Sequence, residues 1–111
     1  MERFVKGDIV VIPFPFSDLS NAKRRPALVL AALRGEDLIL CQITSQNILD
    51  NYSIPLYNSD FESGSLRKIS NIRPNRIFTA DQSIIIYKIG TLNREKIKSV
   101  INRVIEILKT D

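Results

Sequence analysis

Histidine and tryptophan are missing from the chain, and cysteine and methionine occur once each. Without histidine, acid–base chemistry near neutral pH falls to Asp, Glu, Lys, Tyr or an unusually placed Arg. The usual nitrogen ligand for zinc is missing too. A lone cysteine, Cys41, excludes an intramolecular disulfide and cannot build a zinc knuckle by itself. It stands in the apolar run LILCQI, where a small buried core residue is expected. No apolar segment nears the ~18 residues that a membrane-spanning helix needs. The start, MERFVKGD, meets charge too soon for a signal peptide, so a reducing cytoplasm is the expected location. There are no repeats and no low-complexity tracts, and 111 residues suit one domain, 1–111, with one modest core.

What is present reads mainly as β-structure. GDIVVIPFPF starts at a turn-like Gly7-Asp8 and continues with β-branched residues, while Pro13 and Pro15 turn its far end into an edge or irregular chain. SDLSNAKRR is a polar loop of functional length. PALVLAAL and DLILCQIT follow as strands, hinged at residues 34–37. The next stretch is loop-rich, with a short strand at residues 53–56 and a turn at Gly64. LRKISNIRP and NRIFTAD read as two strands or one bent strand, and SIIIYKIG as another. Ile97, Val100, Ile101, Val104, Ile105 and Leu108 share one helical face, which is expected to pack on the sheet, with Asn93 as N-cap, Glu95 in the first turn and Lys109 in the last. Five to seven short strands and a closing helix predict a small, strongly bent antiparallel sheet or partly open barrel.

The net charge of +4 is unevenly spread. Residues 1–26 carry five basic and three acidic groups, and residues 27–62 one basic and five acidic. Residues 63–80 carry four basic groups (Arg67, Lys68, Arg73, Arg76) and no acidic one. Folding that joined KRRP to LRKISNIRPNR would make a positive trough suited to a nucleic-acid strand. The same charges also suit an ordinary solvated surface.

Two local patterns carry chemistry. In KRRP, proline restricts Arg25 to extended backbone, so that its planar fork enters the strand in a set direction and could match two phosphate oxygens. In CQITSQ a buried strand ends in Thr44, Ser45 and Gln46, whose hydroxyls and amide can bind phosphate and orient a ribose. Arginine before proline is common, and Thr-Ser at a strand end also serves as a turn cap.

GDIVVIPFPFSDLSNAKRRPALVL resembles the opening of the MazF/PemK-type toxins, the endoribonuclease halves of bacterial toxin–antitoxin pairs. ITSQ is similar to the family's Ile-Thr-small-Gln motif, SGSLRKISNIRPNRIFT to its Gly…Ser…Arg…Thr stretch, and IGTLNREKIKSVINRVIEIL to its Gly-x-Leu and terminal helix. The resemblance runs from Gly7 to Leu108 in the family's order. It implies a mainly β fold with a C-terminal helix, a homodimeric SH3-like barrel of the MazF/PemK/CcdB kind. It implies sequence-specific, metal-independent cleavage of single-stranded mRNA, with no cofactor, through 2′-OH attack that leaves 2′,3′-cyclic phosphate and 5′-OH ends. An antitoxin protein is the implied partner, with DNA reached only through it, and no membrane. By motif position Arg25 and Thr44 are the catalytic pair, and Gln46 and Ser70 line the site. Lys23, Arg24, Ser45, Arg67, Lys68, Arg73 and Arg76 are the further candidates for holding RNA. Phe16, Ser17 and Asp18 lie in the loop that could stack on or gate it. Two rivals stand beside this: a barrel that binds RNA without cutting it, and a gyrase-poisoning toxin of the same fold. The second relies on a tryptophan near its C-terminus, which this chain lacks.

Overall fold

The computed structural model describes residues 3–14 and 23–110. Along the chain run β1 (Asp8–Phe14), β2 (Lys23–Ala32), β3 (Asp37–Thr44), β4 (Ile54–Leu56), β5 (Phe61–Gly64), β6 (Ser70–Asp81), β7 (Tyr87–Leu92) and the helix α1 (Arg94–Lys109). The strands form one antiparallel sheet in the order β4-β6-β3-β2-β1-β7-β5, curled into a half-barrel. The bent antiparallel sheet with a terminal helix expected from the sequence is therefore the architecture found.

The central strands read as unbroken apolar runs because both of their faces are covered. Side chains alternate along a strand, so neighbours in sequence join different clusters. Ile9, Leu28, Leu30, Cys41 and Ile43 pack with Ile72, Leu92 and Val100 of α1. Val10, Ile12, Ala27, Val29, Leu38 and Leu40 pack on the other side, with Phe4, Phe78, Ile84 and Ile85 against them. The single core expected is in fact two clusters divided by the sheet. Cys41 is fully buried, and burial pushes its thiol up to about 12, as suits a core residue.

In α1, the Asn93 side chain accepts a hydrogen bond from the Lys96 amide at 2.8 Å, the predicted N-cap. Val100 is buried and Ile97, Ile101 and Val104 pack against the first cluster. Ile105 and Leu108 do not follow the expected stripe and remain exposed, since nothing among the described residues covers the last turn on that side. Two cations tie the helix down. Lys96 Nζ donates to the Pro55 carbonyl at 2.6 Å and pairs with Asp60 at 3.2 Å. Arg103 donates to the carbonyls of Asn51 and Tyr52 at 3.1 and 3.0 Å.

Three boundaries differ from those expected, and β6 takes one of the two forms that the sequence allows. β2 begins at Lys23, not Pro26, because β1 continues to pair with it as far as Phe14–Lys23. Pro13 falls where β1 has already left β7, whose pairing ends at Val11, so only one side of the strand loses a partner there. β6 is one bent strand: its pairing with β3 jumps from Cys41–Ile77 to Gln42–Arg73, which leaves residues 74–76 outside the ladder. SIIIYKIG begins as a 3₁₀ turn, Gln82–Ile84, capped by Asp81 on the Ser83 amide at 2.8 Å, and pairs as β7 only from Tyr87. The third is β5, in a stretch whose composition reads as loop.

Candidate nucleic-acid interface

β2 and β3 pair with one shift, between Val29 and Ala31, and the pairing ends at Ala27–Gln42. Beyond that rung each strand continues alone: Lys23–Pro26 is held by β1, and Ile43 and Thr44 by β6. Continued by two residues, that register would bring Arg25 across from Thr44. Between the two free strand ends opens a cleft of about 670 Å³, and Arg24, Arg25, Pro26, Ile43, Thr44 and Ser45 all border it.

The segment after β5 supplies a further wall, with Ser65, Leu66, Arg67, Lys68 and Ser70. Gly64 starts that wall in the left-handed region, φ +81°. A Cβ there would lie 2.6 Å from the Gly90 Cα and collide with the Ile89 carbonyl, so only glycine fits. Val11, Tyr87, Lys88 and Ile89 complete the lining.

Electrostatics separate the cleft from the rest of the surface. Two of the five acidic groups of residues 27–62 are paired elsewhere: Asp50 with Arg73 at 3.4 Å, and Asp60 with Lys96 at 3.2 Å. Amide hydrogen bonds from Ser53 and Tyr52, together with the Arg73 guanidinium, hold the Asp50 carboxyl below its ordinary value. By contrast Arg24, Arg25, Arg67 and Lys68 have no ion-pair partner among the described residues. Four uncompensated cations thus face one opening, with Lys88 beside them 3.9 Å from Asp8. Among the described residues no group of three or more Asp, Glu or Cys side chains is placed to hold a metal ion.

Thr44 is buried at 5 % exposure, and its Oγ1 accepts a hydrogen bond from the Gln46 amide at 3.2 Å. That contact orients the hydroxyl and leaves its O–H available to donate into the cleft. Ser70 Oγ donates to the Lys68 carbonyl at 3.0 Å and braces the opposite wall.

The structure thus gathers Arg24, Arg25, Thr44, Ser45, Arg67, Lys68 and Ser70. Lys23 stands exposed at the start of β2 and does not border the cleft; nor do Gln46, Arg73 and Arg76. Gln46 serves instead through its backbone, its carbonyl accepting from Asn71 Nδ2 at 3.1 Å. Phe16, Ser17 and Asp18 lie outside the described residues. Tyr87, Lys88 and Leu66 were missed: each sits in a stretch that reads as strand filler or loop, and only the β1–β7 register reveals where the first two face.

A curled half-barrel whose one open strand end holds a polycationic cleft defines a small β-protein class with a site for anions. The chain belongs to the PemK-like, MazF-like toxin family of type II toxin–antitoxin systems, whose model matches residues 5–108. No curated protein sequence matches it. Among solved structures it is similar to an endoribonuclease in complex with its cognate antitoxin from a mycobacterial species, with 10 % identity, 98 % of each chain covered and a TM-score of 0.77. It is similar also to MazE–MazF of Deinococcus radiodurans, at 16 % identity, 100 % of each chain and a TM-score of 0.74. A third likeness is to the Mycobacterium tuberculosis toxin MazF-mt6, at 15 % identity, 92 % of this chain, 98 % of that one and a TM-score of 0.68. At these identities the likeness is one of fold.

Proposed function

We propose that the protein is an endoribonuclease toxin that cuts single-stranded mRNA at short sequences in the cytoplasm, without a metal ion. The observation that carries this reading is that Arg25 and Thr44, at the unpaired ends of β2 and β3, border one cleft of uncompensated cations. RNA supplies its own nucleophile. The ribose 2′-oxygen bonds to the adjacent phosphorus and loses its proton, and the bond from phosphorus to the 5′-oxygen breaks as that oxygen takes up a proton. A 2′,3′-cyclic phosphate and a 5′-OH end result.

The protein's share is then placement and charge. Arg25 neutralises the phosphorane with a guanidinium that stays ionised at every working pH. Thr44 donates its O–H to a phosphate oxygen and aligns the 2′-OH, which excludes DNA from cleavage. Arg24, Arg67 and Lys68 draw in the backbone. A second copy of this chain and an antitoxin protein are the partners that go with the reading, and MazF chains of the same fold are found with their antitoxins.

One observation favours binding without cutting as the second reading: the described lining of the cleft contains no carboxylate to take the 2′-OH proton. A single experiment separates the two. Long single-stranded RNA is incubated with the protein in EDTA at low salt, and the fragment ends are mapped. Discrete fragments with 5′-OH and cyclic-phosphate ends are the expected result. Intact RNA that shifts on a gel would overturn cleavage in favour of binding.

A further inference from the structure

Successive residues of a regular strand point to opposite faces, yet Tyr87, Lys88 and Ile89 all border the same cleft. A slip in the β1–β7 register stands beside them: Ile9 opposes Gly90 and Val10 opposes Lys88, which leaves Ile89 without an opposite number. A bulge of this kind re-aims side chains and is frequent beside functional sites. Next to it an aromatic residue and a lysine, neighbours in sequence, both border one opening.

Both side chains have defined settings. Asp8 is buried, and its carboxylate accepts from the Val5 amide at 2.9 Å and from Thr91 Oγ1 at 3.0 Å. Those two bonds fix the carboxylate, and Lys88 Nζ stands 3.9 Å from it. The lysine is steered by a fixed negative charge yet keeps its donors for a ligand. Tyr87 is half exposed, with Val11 and Leu66 among the apolar groups of the same cleft. Val11 pairs with Tyr87 on one side and with Pro26 on the other. Tyr87 therefore lies two strand spacings, about 10 Å, from the residue that follows Arg25.

We infer that Tyr87 and Lys88 form a nucleotide subsite for single-stranded RNA, in which Lys88 takes a backbone phosphate and the Tyr87 ring stacks on the adjoining base. The inference rests on the RNA reading above and adds a specificity element to it. A base flanking the cut is held flat against Tyr87, while Arg25 and Thr44 hold the phosphate being attacked. Were Lys88 only the counter-ion of Asp8, its removal would leave the salt dependence of RNA binding unchanged.

The test uses the whole protein, a mixed-sequence 2′-O-methyl RNA that cannot be cut, and a long unmodified transcript. Tyr87→Leu is expected to weaken binding to the capped RNA by about 10-fold and to relax the base preference at one position beside the cuts, whereas Tyr87→Phe keeps both. Lys88→Met is expected to make the slope of log affinity against log salt shallower by about 0.7. Unchanged affinity, slope and cut pattern in Tyr87→Leu and Lys88→Met, with wild type binding and cutting, would overturn the subsite and spare the cleavage reading. Wild type that binds without cutting overturns cleavage and leaves the subsite to be decided by affinity and slope. Wild type that does neither overturns both. If Tyr87→Leu does not melt cooperatively, the Lys88→Met slope decides.

Discussion

Two arginines in this chain precede a proline, Arg25-Pro26 and Arg73-Pro74, and the fold puts them to opposite uses. Proline restricts the backbone of both in the same way. Arg73 faces a carboxylate: it donates to Asp50 at 3.4 Å, only 16 % of its side chain is exposed, and its Nε is buried without a partner. Arg25 borders the same cleft as Thr44, beyond the last rung between β2 and β3, and has no ion-pair partner among the described residues. One guanidinium is neutralised and locks a loop to the sheet. The other keeps its charge for a ligand. A dipeptide thus sets the direction of an arginine, and what the fold places opposite sets its purpose.

The sharpest way to break this contrast is Arg25→Ala. RNA cleavage should fall by about 10³-fold, as for loss of a group that stabilises transition-state charge, while stability changes by no more than about 0.5 kcal/mol. Turnover assays beside thermal melts check both halves, and a variant that still cuts at the wild-type rate sinks the contrast. Thr44→Val should lower cleavage by about 10²-fold and cost about 1 kcal/mol, because the Gln46 amide loses its acceptor. Thr44→Ser, which keeps the hydroxyl, should recover most of both. Arg73→Ala should do the reverse of Arg25→Ala, lowering the melting temperature and leaving turnover per folded molecule unchanged.

The smallest effect is one of pH. The folded-state value of Asp50 lies below its ordinary 3.8, so the stability it contributes is in place above that pH and is lost as pH falls through the lower folded value. Melts of wild type and Asp50→Asn should therefore converge in acid and separate toward neutral pH. Parallel curves over that range would show that Asp50 owes its setting to something other than its charge.

The fold was legible where burial on both faces wrote unbroken apolar runs, as in IVVI, ALVL and LILC, and where one helix carried a strong stripe. It was not legible at β5, an edge strand of mostly exposed residues in which FESG bears no alternation. SIIIYKIG misled for the opposite reason: Ile84 and Ile85 are half-buried against the second cluster below a 3₁₀ turn, so hydrophobicity there signals packing and not pairing. At the site, Arg25 and Thr44 came from the motifs, but that they border one cleft depends on where the β2–β3 pairing ends, at Ala27–Gln42, which the sequence does not disclose. Arg73 was grouped with the RNA-holding cations because its neutralising partner stands 23 residues away in sequence. Lys88 went unseen because SIIIYKIG reads as strand alone, and which cleft that strand borders depends on its pairing with β1.

The contact between Gly64 and Gly90 has a consequence for what can pass between the cleft walls. An added Cβ on Gly90 would lie 2.9 Å from the Gly64 Cα, and one on Gly64 would press on the Gly90 Cα from the other side. The segment carrying Arg67 and Lys68 is thus drawn in as far as bare backbones allow, by atoms that are not there. Alanine at either position would act as a shim, setting that segment outward while the bed of β2 and β3 stays in place. The gauge of the channel is therefore written apart from its chemistry, and the bore could be reset without touching either the arginine or the threonine.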